Sequence, residues 1–192
     1  MFKRMFALVV GAAVFFGIAL AVPAVGQQVL YNNGPDGNVG YYGANFGAAV
    51  SNSFTLSRGA SLSGVSFTIY CVNDENQPMR VKWAITTEPF GGTVEAEGVV
   101  NLTELGDFYP TRFHFLAWPV GFNLPNVTLP AGTYYLQIQD VITHWYTFAF
   151  WAQSSAGDST AYYEPVGQNG AGGISPVPSE AFTILGEWST QE

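Results

Sequence analysis

Apolar and polar residues alternate with a period of two through most of this chain, and glycine, proline, asparagine and serine interrupt the pattern about every ten residues. Such a pattern restricts the chain to pleated strands joined by turns, because an amphipathic helix needs apolar residues three and four apart. The clearest stretch is 124–140. There Pro130-Ala131-Gly132 breaks the backbone, after which Tyr134, Leu136 and Ile138 share one face while Tyr135, Gln137 and Gln139 share the other. A half-buried strand inside a sheet is expected, with the equally β-prone segments 112–118 and 145–153 beside it.

The same rule reads the rest. Strands are expected at 28–31, at 50–57 with Phe54 and Leu56 on one face, and at 62–72, where Ser63-Gly64 marks a bulge in a central strand. Val81, Trp83 and Ile85 face inward in the next strand, and Val94, Ala96, Gly98, Val100 and Leu102 then alternate with the acidic Glu95 and Glu97. Residues 107–118 are apolar on both faces, which implies a loop covering one of them; 145–152 are apolar on both faces too and read as the deepest strand. Segment 153–178 reads as a long surface loop interrupted by Ala161-Tyr162-Tyr163-Glu164, and 181–185 as a closing strand. About ten short strands without helical periodicity predict an all-β fold of two packed antiparallel sheets, a jelly-roll-like sandwich. An immunoglobulin-like Greek-key sandwich is the second topology and a closed barrel the third.

Residues 1–26 read as a signal peptide: Lys3 and Arg4, an apolar run from Phe6 to Val22, and Ala24-Val25-Gly26 as the cleavage exit. Residues 27–186 then form the β-sandwich domain and 187–192 a short C-terminal tail, in a secreted, extracellular or periplasmic protein with no membrane association once the leader is gone. The full chain carries −8, and loss of Lys3 and Arg4 makes it two units more negative. That balance repels nucleic acid and anionic lipid. Cys71, the only cysteine, continues the series Val65, Phe67, Ile69 and is expected to be buried and inert.

The segments Leu30-Tyr31-Asn32-Asn33-Gly34, Ser51-Asn52-Ser53-Phe54-Thr55-Leu56, Gly64-Val65-Ser66-Phe67, Trp83-Ala84-Ile85, Pro89-Phe90-Gly91-Gly92, Ala131-Gly132-Thr133-Tyr134-Tyr135-Leu136 and Ser179-Glu180-Ala181-Phe182 together resemble a group of small exported β-sandwich proteins of environmental bacteria. The resemblance runs from about Leu30 to Gly186 and implies the fold and export. Members of that group often end in a Pro-Glu-Pro sorting tail handled by an exosortase, a pattern that does not occur after Gly186 here. The group brings no established activity with it.

Catalytic patterns are missing: the histidines are His114 and His144, and no nucleophile elbow, phosphate loop or zinc spacing occurs. Glu95 and Glu97 have the spacing of an acid pair on one strand face, without an aromatic residue between them to seat a sugar. No enzymatic activity and no obligatory cofactor are therefore expected. A structural calcium ion is considered for the loop oxygens of Asn32, Asn33, Asp36 and Asn38, with Asp158, Glu164 or Glu180 in reach if the termini pair. The first expected function is a non-catalytic structural or extracellular-matrix, cell-surface protein. The second is a carbohydrate-binding module that holds a neutral polysaccharide on Tyr41, Tyr42, Tyr162, Tyr163 and Trp188, aromatics assigned to glycine-rich loops or the chain end. Another extracellular protein is the alternative partner, and a glycoside-active enzyme the third reading.

Overall fold

The structure, a computed structural model, describes residues 27–165 and 173–190. The expected signal peptide lies outside the described residues. An eight-stranded antiparallel sheet packs on a six-stranded one, so the chain is an all-β two-sheet sandwich. The larger sheet contains β1 (Gln28–Asn32), β2 (Asp36–Gly43), β4 (Ala60–Cys71), β7 (Thr103–Glu104), β8 (Tyr109–Pro110), β9 (Leu116–Leu129), β11 (Ala149–Ser154) and β14 (Phe182–Trp188). The smaller contains β3 (Ala49–Leu56), β5 (Pro78–Glu88), β6 (Gly91–Asn101), β10 (Gly132–Thr143), β12 (Ala161–Glu164) and β13 (Ser175–Val177). The chain steps between sheets from β3 to β4 to β5 and again from β9 through β10 and β11 to β12, which is the jelly-roll-like feature of the topology. No helix among the described residues is long and apolar enough to cross a membrane.

The alternating side chains meet between the sheets. Val65, Phe67, Ile69 and Cys71 from β4 face Val81, Trp83 and Ile85 from β5 and Leu136 and Ile138 from β10, all buried in one cluster. The Trp83 indole stacks on Phe122 across the gap at 5.6 Å, and Trp151 meets Phe182 edge-on at 5.7 Å. Each fully buried aliphatic or aromatic side chain contributes about 2 kcal/mol of transfer free energy, so this layer carries the fold. Burial pushes the Cys71 thiol up to about 12, as its place in the inward series implies. The expected bulge in β4 is present, between Leu62 and Gly64 in its pairing with β9.

Several segments differ from the sequence reading. Asp36 and Asn38, expected in a loop, lie in β2. β10 is interior, but its partners are β3 and β5; the segments adjacent in sequence belong to the opposite sheet. Ala161–Glu164 is a strand paired with β3, not part of a loop. β14 extends through Glu187 to Trp188, beyond the expected domain edge. Residues 145–148 are not strand at all, and β11 starts only at Ala149.

A second, smaller cluster lies outside the sandwich. Residues 103–115 double back over the outer face of the larger sheet, pinned by the pairing of β7 and β8 with β9. A turn at Thr111 closes this flap, its hydroxyl accepting from the amides of Phe113 and Phe115. Phe113 and Phe115 then cover Tyr70, Ala117 and Ala152, so the expectation of a strand at 107–118 covered by a loop is corrected: residues 107–115 belong to the covering segment itself, and β9 begins only at Leu116.

Candidate functional site

Two short connections meet at one end of the sandwich: residues 44–48, between β2 and β3, and residues 144–148, between β10 and β11. Asn45 joins them. Its buried side chain donates from Nδ2 to the Thr147 carbonyl at 2.7 Å and accepts at Oδ1 from the Ala149 amide at 3.2 Å. Backbone bonds from Val141 to Ala44 and from Ala44 to Ala149, each 2.9 Å, tie β10 and β11 to the same loop. Thr143 secures the turn from the other side, accepting from the Thr147 amide at 2.8 Å.

This rigid frame holds four aromatic rings in solvent. Phe46 is 51% exposed, Trp145 62%, Tyr146 72% and Phe148 60%. Phe46 and Phe148 meet edge-on at 5.2 Å, Phe148 stacks towards Phe150 at 6.2 Å, and His144 stands edge-on to Trp145 at 4.8 Å. Beside them opens a cleft of about 340 Å³ lined by Asn45, Phe46, Asp140, Val141, Ile142 and Tyr146. Leaving this much aromatic surface in water forgoes the transfer free energy that the rest of the chain gains by burial, which makes this end of the sandwich the candidate site.

The backbone supports that reading. Phe46 (φ 54°), Asp140 (φ 49°) and Tyr146 (φ 55°), all lining the cleft, adopt the left-handed conformation. For bulky residues this is sterically unfavourable by about 1 kcal/mol or more each, and it persists only where surrounding bonds enforce it. Asp140 owes its position to a β-bulge between Gln139 and Ile142 in the pairing with β5. Strict alternation after Tyr134, Leu136 and Ile138 sends residue 140 into the core; the bulge instead buries Val141 and turns Asp140 outward.

The aromatics singled out by sequence do not form one site. Tyr41 lies in β2, its ring 4.8 Å from Phe150 and 5.0 Å from Phe113 in the flap-covered cluster. Tyr42 and Tyr163 face each other at 5.0 Å against the main core. Tyr162 turns outward beside Tyr135 at 6.2 Å, and Trp188 ends β14 beneath the Arg58 guanidinium at 5.2 Å. The premise that the tyrosines sit in loops fails for all four, since each lies in a strand, and Trp188, assigned to the chain end, is the last residue of β14. Trp145, Tyr146 and Phe148 were hidden because their run of aromatic residues resembles a doubly buried strand, and no local signal separates the turn from β11. The break in alternation at Asp140 was the one available clue.

The oxygens proposed for calcium point to protein donors. Asn32 Oδ1 accepts from the Gly34 amide, and Asn33 Oδ1 from Tyr31 and Ser159 hydroxyls. Asp36 accepts from the hydroxyls of Tyr70 and Tyr109 and from the Asn38 amide, while Asn38 Oδ1 accepts from the Arg112 amide. Among the described residues no group of three or more His, Cys, Asp or Glu side chains could hold a metal ion. Asn33 also donates to Ser179 and to the Glu180 carbonyl, and Asn52 accepts from the Glu180 amide at 2.7 Å, so this polar cluster fastens the 178–181 segment between the sheets. The Glu180 carboxyl is fully buried, has no hydrogen-bond partner among the described residues, and is pushed well above the usual carboxylate range by burial. Glu95 and Glu97 are exposed on β6, an edge strand, where charge discourages pairing with another chain. No family model and no curated protein matches this chain.

Proposed function

We propose that this protein is an exported, non-catalytic carbohydrate-binding module that engages glycans through the bare aromatic end. The observation that carries this reading is the set of exposed rings on the two joined loops, Phe46 and Tyr146 lining the cleft and Trp145 and Phe148 on the same 144–148 turn. Flat rings stack on the apolar C–H faces of sugars, and the loop backbone that carries them is already tied by Asn45, which lowers the ordering cost at binding. A non-catalytic role is supported by the acids: Glu180 is sealed from solvent, and Glu95 and Glu97 are both exposed on the edge strand β6, where only Glu97 borders a surface depression, shared with Lys82. The leader-like start of the sequence supports export, and binding to an extracellular glycan is compatible with a matrix or cell-surface role.

A glycan-array screen of the chain lacking residues 1–26, followed by calorimetry on the best ligand, tests this directly. Trp145→Ala and Phe148→Ala should each weaken binding about tenfold, the equivalent of about 1.4 kcal/mol. Absence of binding at millimolar glycan, or variants that bind as tightly as the parent, would overturn it.

A further inference from the structure

The polar groups lining the cleft are few, and they are not equally available. Asn45 is committed at both ends of its amide to Thr147 and Ala149. That leaves the Tyr146 hydroxyl and the Asp140 carboxylate to meet a ligand. Asp140 is the only charged residue in the lining, its side chain is exposed, and none of the described hydrogen bonds reaches it. Arg80 pairs with Ile142 across β5 and so lies beside the cleft, outside the lining. The bulge that turns Asp140 outward places its charge among the rings of Phe46 and Tyr146, whose faces also attract cations.

Resting on the glycan reading above, we propose that the ligand of this cleft is an amino-sugar glycan carrying free primary ammonium groups. A neutral sugar offers the carboxylate only hydroxyl donors as it loses water, whereas an ammonium forms a charge-assisted hydrogen bond about twice as strong. An acidic glycan is repelled both by Asp140 and by a chain whose net charge is −8. The aromatic faces serve the same ligand twice, through stacking on ring C–H groups and through cation–π attraction.

The test compares glucosamine oligomers of one length, with free amines or fully N-acetylated, at about pH 6, where both a carboxylate and a primary amine are charged. The free-amine oligomer should bind about tenfold tighter at low ionic strength, and the advantage should shrink as salt is added. Asp140→Asn should bring the ratio of the two affinities close to one; asparagine tolerates the left-handed conformation, so the bulge is retained. Equal affinities in the parent would overturn the amino-sugar assignment and leave the glycan reading standing. A preference that survives Asp140→Asn, or that salt leaves unchanged, would overturn the role of Asp140. If neither oligomer nor any other glycan binds, both readings fall together.

Discussion

Two aromatic clusters occupy neighbouring parts of this molecule, and only one is covered. Beneath the flap, Tyr41, Tyr70, Phe113, Phe115 and Phe150 close into a small satellite core in which Tyr70 is fully buried. A few ångströms further, where Phe150 passes to Phe148 at 6.2 Å, the flap has ended and the rings stand in water. Each cluster has one aspartate, used differently. Asp36 accepts from Tyr70 and Tyr109 and latches the flap, whereas Asp140 faces an open cleft. Aromatic content alone therefore does not distinguish covered rings from bare ones; the reach of the covering segment does.

The largest effect that this contrast predicts is on stability. Phe115→Ala removes a ring stacked at 5.1 Å on Phe150 in the covered cluster and should cost about 2 kcal/mol, less than a fully buried phenylalanine. Phe148→Ala should cost no more than about 0.5 kcal/mol, as for ordinary surface sites. Urea unfolding of the two variants measures this, and equal losses would mean that the bare rings are structural after all.

The core of this contrast was legible in sequence, and its edges were not. The inward series of β4 and β5 and the Ser63-Gly64 bulge follow from period-two alternation, which burial enforces strongly. Alternation could not tell which strands pair, because the partners of β10 are far apart in sequence and fixed by the packing of two whole sheets. It also failed at residues 145–148, where large aromatic side chains carry the same apolar signature whether a flap covers them or not. The bulge at Asp140 depends on its pairing with β5, a tertiary constraint that shifts register without changing local composition.

A smaller effect concerns the latch. Tyr109→Phe removes the hydroxyl bonded to Asp36 at 2.8 Å and should cost about 1 kcal/mol, with faster proteolytic cleavage in 103–115 than in the parent. Burial, with the Asp36 bond and charge beside it, pushes the Tyr109 hydroxyl up to about 12 from an unperturbed 10.0. The folded state thus favours the protonated phenol, so its contribution is complete below pH 10 and is lost as pH rises towards 12. Parent protein should lose flap protection in that window, and Tyr109→Phe should show a flatter profile there. An identical pH response in the two proteins would remove Tyr109 from the latch.

The smallest expected effect is that of calcium. Since Asp36 and Asn38 are occupied by Tyr70, Tyr109 and Arg112 in the covered half, millimolar calcium should shift Tm by less than about one degree relative to chelator. A clear rise would show that the Asn32 to Asn38 oxygens can regroup around an ion.

The most direct measurement uses the tryptophans. Trp83, Trp118 and Trp151 are buried, Trp188 is half-buried, and Trp145, at 62% exposure, stands in the bare cluster. Acrylamide quenching of the parent, set against Trp145→Phe, isolates the Trp145 signal with and without saturating glycan. Protection of Trp145 on ligand addition is the predicted result; a glycan that binds while Trp145 remains as quenchable as in the free protein would contradict recognition at the bare aromatic end.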